Sequence, residues 1–202
     1  MMDEGQPTLL SRAVKAVLLW LYRWKGWEIE GNPPRTPKAM LLGAPHTTNW
    51  DFVFFLGIIH DIGLNPRFMG KTSLFRWPLT RFMYDMGGVP IDRTKRGNYV
   101  DQVIAAFRSA KADFHLVIAP EGTRGSIDNW RSGFYHIAHG AGVPIIPAWV
   151  DHATMRGGIG PEIPTTGDFL ADLAKIAAFY RSVMPNHPKL AKLYQMVDKT
   201  DD

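Results

Sequence analysis

Apolar and polar positions follow two rhythms along this chain. Five short apolar runs, each closed by Pro, Gly or a charged residue, have strand character: 39–44, 66–70, 89–92, 114–119 and 143–150. Between them, residues 50–61, 75–86, 98–111 and 134–139 carry helix-length apolar patterns. This alternation predicts an α/β layered fold with a largely parallel central sheet flanked by helices. Residues 154–166 are rich in Gly and Pro and predict a loop. Residues 168–183 return to a helical pattern, and 188–197 predict a short last helix.

The first part of the chain has a different pattern. Residues 8–27 predict one amphipathic helix, with Arg12, Lys15 and Arg23 on a narrow stripe and mostly Leu, Val, Ala, Tyr and Trp elsewhere. Trp20, Trp24 and Trp27 supply three of the seven tryptophans. The longest uncharged run, 16–22, falls far short of the ~20 residues that span a bilayer. Charge and tryptophan also interrupt it as a signal-peptide apolar core. Two readings stay open. The helix lies in a membrane interface with cations at headgroups, or it packs on the protein's own core. Asn32-Pro-Pro-Arg-Thr-Pro37 reads as a stiff linker. The expected organisation is therefore 1–31 as an N-terminal helical segment and 38–202 as the main body.

Composition narrows the chemistry. A chain of 202 residues with 46% hydrophobic content fits one domain with a sizeable core. The absence of cysteine excludes disulfides, cysteine-ligated zinc and a cysteinyl acyl-enzyme, and is compatible with a reducing cytoplasm. The net charge of +4 suits anionic lipid surfaces, phosphorylated substrates and acidic carriers. It would suit nucleic acid equally, but no nucleic-acid-binding motif accompanies it.

Two stretches carry candidate chemistry. His46-Thr-Thr-Asn-Trp-Asp51 places an imidazole and a carboxylate five positions apart, between a strand end and a helix start. A neutral imidazole takes a proton from an alcohol near pH 7, and a carboxylate on its other nitrogen fixes the tautomer. The pattern alone is weak. With seven His and 14 Asp in 202 residues, roughly half a chance match is expected. Glu121-Gly-Thr-Arg124 lies about 70 residues on, after a strand closed by Pro120. Gly122 and Gly125 permit backbone that points N–H groups at an anion, and Arg124 suits bidentate phosphate contact. A short strand before Arg93 offers a second cation, and Lys71 a third at the end of its own strand. For Arg93 and Lys71 a solvated surface cation is the plain alternative.

Other features have structural readings. His136 and His139 stand at helical spacing i, i+3, with no nearby carboxylate to complete a metal site. Phe75, Trp77, Phe82, Met83 and Tyr84 form an aromatic cluster that reads as helix core, with an acyl tunnel as the alternative.

His46-x4-Asp51, Asp92-Arg93, Glu121-Gly-Thr-Arg124 and Val143-Pro-Ile-Ile-Pro147 occur in that order. In this set, across residues 39–151, the chain resembles the glycerolipid acyltransferase family that includes 1-acylglycerol-3-phosphate acyltransferase. The spacing of Lys71, Pro78, Gly87-Gly88 and Asp92-Arg93 is similar to that family as well. The resemblance implies acyl transfer from a thioester carrier, acyl-coenzyme A or acyl carrier protein, to a hydroxyl of a lyso-glycerolipid, with no metal or redox cofactor. It implies His46 as general base and Asp51 as its orienting partner. Arg93, Glu121, Gly122, Thr123 and Arg124 would bind substrate, with Lys71 nearby, while Pro144 and Pro147 shape the acyl site. It makes 38–202 the catalytic body, active in phospholipid biosynthesis at the inner face of the cytoplasmic membrane. Pro45, Thr48 and Pro90 depart from residues common in the family and bear on which acceptor is used. Another lyso-lipid or alcohol acceptor, a thioesterase or lipid hydrolase on the same base, and a non-catalytic lipid-binding module are the alternative readings.

Overall fold

A computed structural model describes residues 6–45, 49–92, 99–121 and 130–199; within helix 49–61 the side chains of 49–53 and 56 lie outside the description. Among the described residues seven strands form one sheet: β1 (Glu28–Glu30), β2 (Lys38–Gly43), β3 (Pro66–Lys71), β4 (Gly88–Ile91), β5 (Phe114–Ile118), β6 (Ile145–Asp151) and β7 (Arg156–Ile159). Their order is β1-β7-β6-β2-β5-β3-β4. The pairs among β6, β2, β5, β3 and β4 are parallel. Only β7 runs antiparallel to β6, and β1 follows β7 in parallel. The largely parallel sheet is as the alternating pattern predicts.

The centre of the sheet is buried on both faces, which is why its strands read as continuous apolar runs. Along β2, Met40 and Leu42 point into one cluster while Ala39 and Leu41 point into another. The first cluster is covered by α4 (Tyr99–Ser109), α5 (Gly133–Ala141), α6 (Phe169–Val183) and α7 (Ala191–Asp198), through Phe107, Phe134, Ile176 and Leu193 among others. The second is covered by α2 (Asn49–Asp61), with Phe55, Ile58 and Ile59, and by Tyr22 of α1 (Leu9–Trp24). The result is helix, sheet, helix. A further short helix, α3 (Thr80–Asp85), follows a 3-10 turn at Thr72–Phe75.

The structure differs from the sequence reading at one end of the sheet, where β1 and β7 lie, and around α3. The helix expected over 8–27 stops at Trp24, and Gly26 turns the chain with φ +70. Residues 28–30 then add β1 to the sheet, and β7 rises from the stretch read as loop. Arg-Gly-Gly-Ile lacks the β-branched signature of a strand, yet its glycines are what the packing needs. A Cβ at Gly158 would lie 2.0 Å from the Glu30 carbonyl, and one at Gly157 would lie 2.5 Å from the Ile58 side chain. The proline-rich stretch between β1 and β2 is tied down. The amides of Arg35 and Thr36 and the Thr36 hydroxyl all donate to the Glu162 carboxylate. Those bonds hold the carboxyl below its usual range against the opposing effect of burial. The helix expected over 75–86 divides into the 3-10 turn and α3, because Pro78 denies it a continuous hydrogen-bond ladder.

Candidate functional site

Parallel strands put all their carboxyl ends on one edge of the sheet, where ligand sites gather in α/β folds. β2 leads through Ala44 and Pro45 to position 46. β5 leads through Ala119 and Pro120 to Glu121. β4 leads through Asp92 to position 93, and β3 ends on Lys71. The register sets Leu42 beside Ile118 and Lys71 beside Ile91. The strands that carry the two principal motifs are thus immediate neighbours, about 5 Å apart, with the β4 end roughly 14 Å from β2 across three strand spacings.

His46, Arg93, Gly122, Thr123 and Arg124 lie outside the described residues. Asp51 is the third residue of α2, in its first turn, and its side chain also lies outside them. Glu121 is buried at the head of its turn, whereas Lys71 is exposed. The fold therefore gathers the points from which the motif segments depart.

Several contacts fix those departure points, and none is legible in a motif. Tyr180 of α6, fully buried, donates its hydroxyl to the carbonyls of Leu42 (2.5 Å) and Ala148 (3.2 Å). The Ala44 amide donates to the same Ala148 carbonyl at 3.1 Å. One phenol thus ties the ends of β2 and β6 together. Burial pushes its ionisation far upward, so it stays a neutral donor. At the β4 end, the Gln102 side chain grips the Asp92 backbone from both sides. It accepts from the amide at 3.2 Å and donates to the carbonyl at 3.3 Å. At the β5 end, the Arg131 amide donates to the Pro120 carbonyl, closing the base of the segment between them. Trp130 is buried there, edge-on to Tyr180 at 5.8 Å. A buried tyrosine late in an amphipathic helix is a common core residue, so no sequence signal marks Tyr180 as a clamp.

Residues beside the motifs and the remaining sequence candidates find definite places. Asp151, which follows the fourth motif, caps its own turn, accepting from the Ala153 amide and the Thr154 hydroxyl. The His139 ring stacks on Tyr135, and its Nδ1 sits 3.3 Å from the Thr165 hydroxyl. Among the described residues no group of three or more His, Asp or Glu converges as metal ligands would. The aromatic cluster splits. Phe75 and Tyr84 meet edge-to-face at 5.0 Å, but Trp77 is 90% exposed, which corrects the reading of that residue as helix core. A cavity of about 760 Å³ lies under α1, lined by Leu18, Leu19, Tyr84, Met86, Val89 and Ala106 among others. It opens beside Pro66 and Gly87-Gly88, where β3 and β4 begin, which is the edge opposite the motif-bearing strand ends.

Comparison with known proteins identifies the family and the fold. Residues 28–151 match the sequence model of a family described as Acyltransferase. A chloroplastic 1-acyl-sn-glycerol-3-phosphate acyltransferase of Brassica napus is 27% identical over 133 residues, covering 63% of this chain and 38% of the relative. The enzyme of that name from Salmonella typhimurium is 30% identical over 118 residues, 56% of this chain and 47% of its own length. One from Limnanthes alba is 27% identical over 146 residues, 69% of this chain and 50% of its own. The chain thus spans half or less of these curated relatives. The crystal structure of the 1-acyl-sn-glycerophosphate acyltransferase PlsC from Thermotoga maritima superposes with a TM-score of 0.62 at 16% identity, over 88% of this chain and 80% of that one. At that identity the likeness concerns the fold.

Proposed function

The chain belongs to the acyltransferase family, and from that premise we propose that it transfers a fatty acyl group from a thioester carrier to a hydroxyl of a lyso-glycerolipid such as 1-acylglycerol-3-phosphate. One observation carries the reading. The strands that lead into His46-x4-Asp51 and Glu121-Gly-Thr-Arg124 are adjacent and parallel, so both motif segments start from one edge.

In this mechanism His46, oriented by Asp51, accepts the proton of the acceptor hydroxyl. The oxygen attacks the thioester carbonyl, forming the new C–O bond. The tetrahedral intermediate collapses with cleavage of the C–S bond, and the thiolate takes the proton back from the imidazolium. Arg124 and Arg93 hold the acceptor phosphate, with Gly122 and Thr123 shaping the turn, Glu121 anchoring it in the protein and Lys71 at the rim. General-base assistance of this kind is worth roughly 10²–10⁴ in rate. Acyl-coenzyme A or acyl carrier protein serves as donor substrate.

The enzyme works at a membrane surface, on the cytoplasmic side where both carriers occur. The exposed Leu9, Leu10, Val17, Trp20 and Trp24 of α1 support this. Apolar and tryptophan side chains beside Arg12 and Lys15 suit a helix lying in the interface. No helix among the described residues is long and apolar enough to cross a membrane.

The test is to incubate purified protein with acyl-coenzyme A or acyl carrier protein and a panel of lyso-lipids, and to read product masses. An esterified phosphate-bearing acceptor is expected. His46→Ala and Asp51→Asn should lose turnover while keeping the fold. Wild-type transfer by His46→Ala would remove the general-base assignment. Free fatty acid as sole product would make the protein a hydrolase, and Arg124→Ala with unchanged kinetics would point to an acceptor without phosphate.

A further inference from the structure

Between the end of β3 and the start of α3, residues 71–79 read Lys-Thr-Ser-Leu-Phe-Arg-Trp-Pro-Leu. Eight of the nine are exposed, Phe75 being the exception. Trp77 is 90% exposed, Leu79 47% and Leu74 42%. A tryptophan so exposed, with two leucines beside it, costs a soluble protein apolar contact with water and calls for a partner. The segment carries Lys71 and Arg76 and no acidic residue.

This protrusion is held in place by its one inward side chain. Phe75 fills the space above Gly70 and Gly88, where a Cβ would come within 2.9 and 2.8 Å of its ring. The Phe75 carbonyl accepts from the Thr80 hydroxyl at 3.1 Å, and the Arg76 carbonyl accepts from the Leu79 amide at 2.9 Å. Phe75 therefore staples the segment to β3 and β4, and Leu74, Trp77 and Leu79 face outward from a fixed base. The segment departs from the motif-bearing edge of the sheet, where Lys71 ends β3 beside Ile91, and Phe75 reaches back over Gly88 at the start of β4.

We infer that residues 71–79 form a second membrane-docking element, distinct from α1, which inserts Trp77, Leu74 and Leu79 into the interface of an anionic bilayer. Lys71 and Arg76 meet the headgroups. The composition fits a bilayer better than an acidic protein: three large apolar side chains against two cations match the pattern of interfacial anchoring. The consequence is orientation. α1 attaches the protein, and the 71–79 segment turns the carboxyl ends of β3 and β4 toward the surface that holds lipid acceptors. The inference rests on the reading of the chain as an enzyme of membrane lipids, but its test does not require turnover.

Full-length protein is floated with vesicles of phosphatidylcholine alone and of phosphatidylcholine with 30% phosphatidylglycerol. Wild type should bind the anionic vesicles, and Trp77→Ser/Leu79→Ser should lower the bound fraction about tenfold. Because the chain has no cysteine, Trp77→Cys carrying an environment-sensitive fluorophore reports on that position alone. Its emission should shift to the blue on anionic vesicles. A double variant that floats like wild type, or a label that stays in water while the protein is bound, would overturn the inference. So would a variant that floats normally but needs more acyl carrier protein for half-maximal rate, which would make the segment a carrier dock. Vesicle binding through 71–79 with no acyl transfer at all would leave this inference standing and sink the proposed reaction instead.

Discussion

Helices α1 and α6 are both rich in apolar residues and meet opposite fates. α6 buries Leu173, Ile176, Ala177 and Tyr180 against the sheet, with its N-terminus capped by Asp168. α1 buries only Ser11 and Tyr22, and leaves Leu9, Leu10, Val17, Trp20 and Trp24 in solvent. It is held at two points. Near its start, the Thr8 amide and the Ser11 hydroxyl donate to Asp85. Near its end, Tyr22 lies on Gly57 and Arg23 pairs with Asp61. Apolar content alone thus does not decide burial; the availability of an uncovered sheet face does. α6 lies along one, whereas α2 takes most of the second face and α1 reaches it mainly through Tyr22. The helix packs on the body along a small inward seam and leaves a large apolar face exposed; a membrane as the partner of that face belongs to the proposed function.

The contrast can be broken most severely from the α6 side. Ile176→Ala should cost about 2–5 kcal/mol, read as a lowered urea midpoint, because the surrounding core cannot collapse into the space. Asp172 sharpens it through pH. Burial alone would raise this carboxyl. Lys175, the Thr166 amide and the Tyr135 and Thr166 hydroxyls outweigh that and bring it down to about 2. A depressed carboxyl contributes stability that is complete above its unfolded value near 4 and disappears as pH falls through about 2. About 2 kcal/mol should therefore be lost over that window, and Asp172→Asn should flatten that part of an acid titration.

Smaller effects separate docking from core. Gly57→Ala puts a methyl 2.4 Å from the Tyr22 ring, so α1 must shift, at about 1–3 kcal/mol. Hydrogen exchange should then quicken in α1 and leave α6 unchanged. Tyr180→Phe keeps the ring and removes the donor shared by the Leu42 and Ala148 carbonyls. It should cost roughly 1–3 kcal/mol, with faster exchange at the Ala44 amide. Smallest of all, Trp20→Ser with Trp24→Ser should change the unfolding midpoint by less than about 0.5 kcal/mol while weakening vesicle binding. A large loss of stability there would mean that this face is part of the core.

The motif strands were legible because their burial on both faces leaves an unbroken apolar run, as in Ala39 to Leu42 and Leu116 to Ile118. The outer pair β1 and β7 was not. Glu28-Ile-Glu30 is too short for a periodicity, and Arg156-Gly-Gly-Ile159 owes its strand to close approach by Glu30 and Ile58. Trp77 misleads for a related reason. Its neighbours give it a helical apolar pattern, but Pro78 interrupts the helix and Phe75 alone takes the inner place.

By itself the sequence determined the layered α/β class, the order of the central strands' motifs and the residue types available for proton transfer and phosphate contact, since these follow from local periodicity and side-chain chemistry. Only the tertiary structure decided that β2 and β5 are neighbours, that Tyr180 clamps β2 to β6, and that α1 and residues 71–79 keep their apolar faces outward. Each of these depends on contacts between residues far apart in the chain. Which partner covers a given surface is settled by the packing of the whole, and a local pattern carries no record of it.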